Sequence, residues 1–275
     1  MSHFGLFRLC IMSSLMSLLV LTGCSSAQST TTQRTQTKIQ YSVQNAHSHN
    51  DYEQPRFFFD AYKAGFGSME ADIYLVDGDL LVAHGKNEID PHRSLAAMYL
   101  SPLANNLKMN KGYPYKNHQA NLELLIDLKD PKDSPAYQKA VTLILSYKAL
   151  KGSKHLRITF TGNIPSDSVM AAATGMFYFD GVPGRSYSPD AQKRIYMLSD
   201  NFADYSAWKG EGEISKEDYR KLKSTVEAAH AAGKKIRFWN APDNKTAWET
   251  MEKLGVDYIN TDKIDALAVF LHKTY

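Results

Sequence analysis

The sequence predicts an α/β protein folded as a single-domain (β/α)8 TIM barrel. Eight short apolar runs alternate with helical patterns, and such alternation argues for a parallel sheet buried on both faces. The chain behind its leader is about 250 residues long, a size typical of one closed barrel with one large core. Hydrophobic residues make up 43% of the sequence, enough to fill that core.

The predicted strands are residues 39–46, 68–74, 122–128, 156–160, 177–179, 196–198, 235–239 and 258–260. The clearest helix covers 216–232. Ser215 is placed to cap it, Asp218 stands where the acid of a capping box would, and Gly233 ends it. Tyr219, Leu222, Val226 and Ala229 recur along it at helical spacing. A second helix covers 245–254, with Trp248, Met251 and Leu254 on one face. One element breaks the alternation. The turn Val76-Asp77-Gly78-Asp79 and the run 80–84 read as a hairpin arm that returns His84 to the strand it left. Residues 85–120 are long for a connection and hold one short helix around 94–100 and a surface loop.

The ends read differently. An apolar run, residues 9–21, follows Arg8 and leads into Leu21-Thr22-Gly23-Cys24, which resembles the bacterial lipobox. That resemblance implies a signal peptide over 1–23, a lipidated Cys24 anchoring the chain to a membrane, and a lipoprotein of the bacterial cell envelope. Residues 24–38 read as a flexible tether and 39–275 as the barrel domain. Without the leader the net charge falls from +3 to +2, a balance that argues against nucleic acid as a partner. Cys10 lies in the leader, so the domain has no disulfide to form. A monomer is expected.

Catalytic groups of parallel barrels sit where the strands end. Glu70 and Asp72 are two residues apart on the second strand and share a face. Two acids facing a closed core are costly without a cation between them, and a hard divalent ion is the economical solution. Asp127 and Lys129 follow the same parity at the end of the third strand. Three carboxylates and a lysine at one rim suit a phosphate-like substrate held partly by the metal. Singly, each has a plainer reading. Glu-x-Asp is commonly a solvated face, Asp127 with Lys129 an exposed ion pair, and His47, His49 and His84 turn or hairpin ends. His92, His118, His155, His230 and His272 follow no such pattern.

Together, Ala46-His47, Pro55, Glu70-Ala71-Asp72, the Asp77-Gly78 turn, Val82-Ala83-His84 and Ile126-Asp127-Leu128-Lys129 resemble the glycerophosphodiester phosphodiesterase pattern. The run 255–262 resembles that family's last strand. The variant His47-Ser48-His49-Asn50-Asp51-Tyr52 is most similar to an uncharacterised bacterial and fungal branch that includes the mitochondrial-inheritance proteins of fungi.

The resemblance implies His47 and His84 as the acid–base pair. It implies Glu70, Asp72 and Asp127 as ligands of one Ca2+ or Mg2+, and Lys129 as a phosphate contact. The substrate class it implies is a glycerophosphodiester or phospholipid-like diester. Ser48 stands where the family has arginine, which leaves a phosphate contact to be supplied from elsewhere, with Arg56 as a candidate. Aspartate as third ligand, Asn50 and Gly85 are more similar to the sphingomyelinase-D branch, whose product is a cyclic phosphate. His49 orients a ligand, contacts substrate or is structural; Trp239 lines the pocket or belongs to the core. Two rivals remain: a zinc amidohydrolase-type site begun by His47-x-His49, and a binding lipoprotein that keeps the barrel without turnover.

Overall fold

Nine strands and nine α-helices follow one another along residues 39–272, the residues that the computed structural model describes. The signal peptide expected over 1–23, the expected lipidation site Cys24 and the tether expected over 24–38 lie outside them. The strands are β1 (Ala46–Ser48), β2 (Ser68–Val76), β3 (Asp79–Val82), β4 (Leu122–Leu128), β5 (Leu156–Gly162), β6 (Phe177–Gly181), β7 (Ile195–Asn201), β8 (Lys235–Trp239) and β9 (Ile259–Thr261). The helices are α1 (Phe59–Ala64), α2 (Ser101–Met109), α3 (Ala136–Ser146), α4 (Lys148–Lys151), α5 (Asp167–Ala172), α6 (Pro189–Arg194), α7 (Lys216–Ala231), α8 (Lys245–Leu254) and α9 (Ile264–Leu271).

Eight strands lie parallel in the order β8-β7-β6-β5-β4-β2-β1-β9, and β3 folds back antiparallel on β2. A single parallel bridge, Arg237 to Tyr258, joins β8 to the chain just ahead of β9 and nearly closes the ring. The product is the predicted eight-stranded TIM-type barrel with helices outside it. Strand alternation divides its two faces. Met69, Ala71 and Ile73 of β2 join the main apolar core with Leu222 and Val226 of α7. Ser68, Glu70 and Asp72 take the other face and are buried too. Inside the ring, Leu125, Met197 and Tyr258 form a small separate apolar cluster.

Three local expectations need correction. The first strand is Ala46–Ser48 rather than 39–46, because the Ser42 side chain caps a 3-10 turn at Val43–Asn45. That shift moves His47 from a strand end to the middle of β1. The helix expected around 94–100 is a π-type turn, Ala96–Leu100, that runs on into α2; Pro102 does not stop it because it stands in the first turn of α2, where its missing N–H has no intrahelical partner to lose. Ser215 Oγ caps α7 by accepting from the Asp218 N–H at 3.1 Å. Asp218 completes no box: its carboxylate accepts from Ser206 Oγ at 2.9 Å.

Two tests follow from this packing. A Cβ at Gly67, just ahead of β2, would lie 2.1 Å from the Gln44 carbonyl oxygen. Gly67→Ala is therefore expected to destabilise the barrel by about 1–3 kcal/mol, read as a lower thermal midpoint; an unchanged midpoint would mean the Gln44 turn yields freely. Asp257 accepts from His230 Nε2 at 2.8 Å and from Lys235 Nζ at 2.9 Å. Burial opposes the Asp257 charge, but these partners hold its pKa below the ordinary value of 3.8. A depressed carboxylate stabilises the fold above its unfolded pKa and loses that contribution as pH falls through the folded value. Asp257→Asn should be less stable than the native chain at pH near 7 in denaturant titrations, with the gap closing in acid; a gap independent of pH would contradict the ion-pair origin.

Candidate active site

Register brings the acids together. Asp72 of β2 is directly paired with Asp127 of β4, and Glu70 stands one inward position below Asp72. One carboxylate oxygen from each of Glu70, Asp72 and Asp127 lies within 4.8 Å of the others. Lys129 Nζ bridges two of them, at 2.8 Å from Asp72 Oδ2 and 2.7 Å from Asp127 Oδ2. Gly162 at the end of β5 makes room for Asp127: a Cβ there would lie 2.0 Å from its Oδ1, and φ is +70°.

The electrostatics show what one ammonium leaves undone. Asp72 is pushed up to about 7, first by burial and then by the Glu70 and Asp127 charges. Burial also raises Asp127, against the pull of Lys129. Burial disfavours the Lys129 charge, yet Asp127 and Asp72 keep its pKa above that of ordinary lysine. Asp72 Oδ2 is crowded, with Tyr52 Oη donating at 2.8 Å and His84 Nδ1 at 3.4 Å. Asp72 Oδ1 is buried with no partner. Three oxygen donors around an orphaned carboxylate oxygen fit a hard divalent cation. The group contains no histidine, unlike the zinc site that the amidohydrolase rival requires.

The histidines occupy different environments. His47 is fully buried. Its Nδ1 lies 2.8 Å from Ser68 Oγ, and its Nε2 lies 2.6 Å from Arg237 Nη1 and 3.3 Å from Glu70 Oε2. A guanidinium only donates, so Nε2 is the acceptor and the ring proton sits on Nδ1. Burial and Arg237 lower the His47 pKa to about 4. His84 ends the hairpin arm with its side chain more than half exposed, held at Nδ1 by Tyr52 Oη and Asp72. His49 Nδ1 pairs with Asp262 Oδ1 at 2.9 Å, and its Nε2 reaches Glu70 at 4.0 Å. Asn50, in left-handed conformation at φ 42°, directs its N–H toward Glu70 at 3.5 Å, and its Oδ1 lies 3.0 Å from Tyr52 Oη, whose one proton goes to the nearer Asp72.

Not every expected residue joins this group. Trp239 ends β8, is 41% exposed and is no core residue. Arg56 pairs with Asp60 at 2.9 Å on the surface and does not stand in for the arginine missing at Ser48. Ser48 Oγ itself donates to the buried Asp51 at 2.8 Å.

Arg237 is the residue that sequence reading passed over. It is 3% exposed in the middle of β8. Its Nε donates to Ser199 Oγ at 3.1 Å and Nη1 to Asn260 Oδ1 at 3.2 Å, while Glu70 and Asp180 lie at 3.6 and 3.9 Å. Burial would raise Glu70, but Arg237 and His47 hold it well below the usual carboxylate range. Asp180 has no such surplus of partners and is pushed up to about 7 by burial. A signal was present: a charge flanked by Ile236 and Phe238 in a buried strand must find an opposite charge inside.

Two family matches place this barrel in the phosphodiesterase class. Residues 35–190 match the AIM6-like phosphodiesterase domain, more than half of the sequence, and the chain belongs to that family. Residues 235–265 match the glycerophosphoryl diester phosphodiesterase family, a span that holds Arg237, Asn260 and Asp262. The chain is 26% identical over 274 residues to altered inheritance of mitochondria protein 6 of Eremothecium gossypii, covering 82% of this chain and 68% of that protein. The Lachancea thermotolerans protein of the same name is 26% identical over 276 residues, covering 81% and 64%. The match thus spans about two thirds of these relatives' length. Thermotoga maritima Cel5A, solved with cellobiose, aligns at 15% identity and a TM-score of 0.31 over 79% of this chain and 89% of its own, which adds nothing to the strand order above. The relatives are fungal, and this overturns the bacterial cell-envelope placement drawn from the leader-like run 9–21 and the residues 21–24 that end it.

Two variants test the geometry. Arg237→Met leaves Glu70 buried without its guanidinium and should cost about 3–5 kcal/mol in stability, with Arg237→Lys recovering part; a stable Met variant would show that Glu70 does not depend on it. Gly162→Ala should weaken binding of Mg2+ or Ca2+ by displacing Asp127 although every ligand is retained, and undiminished affinity by calorimetry would refute that role.

Proposed function

We propose that this chain hydrolyses phosphodiesters of the glycerophosphodiester or phospholipid-like kind, using His47 and His84 to move protons. Glu70, Asp72 and Asp127 would hold one Ca2+ or Mg2+. The single observation that carries the reading is the triad of converging carboxylates with Asp72 Oδ1 buried and unpartnered beside Lys129. When bound, such an ion draws charge from a phosphoryl oxygen and orients the diester.

The protein's own groups supply the rest. Lys129, at the rim, is placed to shift from the carboxylates to a non-bridging oxygen of the phosphate. Arg237 holds the His47 Nε2 lone pair, so His47 takes up a proton only once the guanidinium turns toward the anion. That turn supplies the second cation which Ser48 cannot. His84 is anchored at Nδ1, which leaves its other nitrogen for the leaving alkoxide. Tyr52 fixes Asn50, Asp72 and His84 relative to one another through one hydroxyl. Imidazoles can both accept and donate a proton, and His47, lowered to about 4 while Arg237 holds it, becomes the stronger base once that contact is released.

The complete enclosure of His47 favours one second reading, a barrel that binds an anionic ligand without turnover. A panel of glycerophosphodiesters, lysophospholipids, phosphoinositides and sphingomyelin, assayed with Mg2+ or Ca2+ and with EDTA, separates the two. Metal-dependent turnover is expected, with His47→Ala and His84→Ala each slower by about 10²–10⁴-fold. Turnover absent across the panel, with diester binding retained, would favour the binding reading. A folded His84→Ala variant at full rate would remove that residue from the chemistry.

A further inference from the structure

At the end of the barrel opposite the mouth, charge is distributed unevenly. Residues 91–122 and 134–166 contain no aspartate or glutamate, and they meet beneath the strand starts. Leu122, which opens β4, donates its N–H to the His155 carbonyl at 2.9 Å, one residue ahead of β5. The Tyr113 ring stacks on His118 at 3.8 Å and lies 5.2 Å from His155. Ser101 Oγ lies 3.1 Å from Tyr147 Oη, linking the start of α2 to the start of α4. This seam carries Lys108, Lys111 and Lys116 on one side and Lys148, Lys151 and Lys154 on the other, all exposed. Among the described residues no carboxylate comes within 4.0 Å of these six ammonium groups.

Helix ends explain part of this. Lys108, Lys148 and Lys151 stand in the last turns of α2 and α4, where cations complement the helix dipole. Lys111, Lys116 and Lys154 lie in connections and have no dipole to answer. Two large apolar side chains also stand out among the lysines: Met109, 71% exposed, and Leu145, 40% exposed. Ile39 and the turn that leads into β1 enter at this same end, where Gln44 Oε1 accepts from the Asn121 N–H at 2.7 Å. Among the described residues no helix is long and apolar enough to cross a bilayer, so contact with a membrane here would be peripheral.

We propose that this basic face, Lys108, Lys111, Lys116, Lys148, Lys151 and Lys154 around Met109 and Leu145, docks the barrel on an anionic lipid surface. The lysines meet the lipid phosphates and carboxylates, and the two apolar side chains enter the headgroup layer. The choice of a bilayer over a nucleic acid follows from Met109 and Leu145, two aliphatic tips suited to a headgroup layer, while the aromatic Tyr113 stacks on His118 rather than standing free for a base. The proposal does not depend on catalysis at the mouth.

The test is sedimentation of the full chain with vesicles of phosphatidylcholine alone and of phosphatidylcholine mixed with phosphatidylserine. Residues 1–38 carry Arg8, Arg34 and Lys38 and no acid, so the basic face is read from the difference between the native chain and its lysine variants on the anionic vesicles. Binding should favour the anionic vesicles and fade between about 0.1 M and about 1 M salt, as the Debye length shrinks from about 10 Å to about 3 Å. Replacing Lys108, Lys111 and Lys116 together by glutamine should cut the partition coefficient about 100-fold, at roughly fivefold per lysine, with an unchanged thermal midpoint. Met109→Ser should weaken binding to the anionic vesicles at constant charge. Equal binding to both vesicles, a triple variant that binds like the native chain, or capture of duplex nucleic acid with neither vesicle bound would each overturn the proposal.

Discussion

An ionised carboxylate does not persist inside a barrel without a cation or a proton to neutralise it. This barrel buries or half-buries Glu70, Asp72, Glu123, Asp127 and Asp180 on the inward face of adjacent strands. Their surroundings divide the burden unequally. Arg237 lies against Glu70 and Asp180, and Lys129 against Asp72 and Asp127. Glu123 receives the Thr159 hydroxyl on one oxygen, has nothing on the other, and is raised by burial. Arg157 faces Glu123 from β5 and pulls against that rise, so the deficit of positive charge is local and collects where Asp72 is pushed up to about 7.

That deficit orders the site. Lys129 is shared between both aspartates, and under the proposed function a bound cation would make up the charge they still lack. Deeper in, Arg237 ties together β1, β7, β8 and β9 through His47, Ser199 and Asn260. The same guanidinium keeps His47 neutral and Glu70 ionised. Stability and chemistry therefore rest on one residue in this region, which is why its replacement should be felt in both.

How much of this could be read from the chain follows from strand geometry. A period of two put Glu70 with Asp72 and Asp127 with Lys129, and parallel pairing then set Asp72 against Asp127, so the triad was visible. The hairpin arm was equally plain, because Asp77-Gly78 between two apolar runs has few other readings. Arg237 was not seen, because its partners Ser199 and Asp180 lie in the two strands with the shortest apolar signals. The start of β1 was misjudged since Val43 to Asn45 look extended until Ser42 is recognised as their cap. Arg56 looked like a substitute for a missing arginine only while its i+4 partner Asp60 went unnoticed. The cellular placement rested on a leader-like run and the lipobox likeness at its end, local signals with no tertiary register to support them, and the fungal relatives corrected it.

The claim at the centre is that Glu70, Asp72 and Asp127 together hold one hard cation. Calorimetric titration of Mg2+ and Ca2+ into the metal-free chain and its Asp72→Asn variant tests it most directly. The account predicts one ion per native chain and none for the variant at the same concentrations. Failure of both ions to bind the native chain, or binding that survives loss of the Asp72 charge, would contradict it.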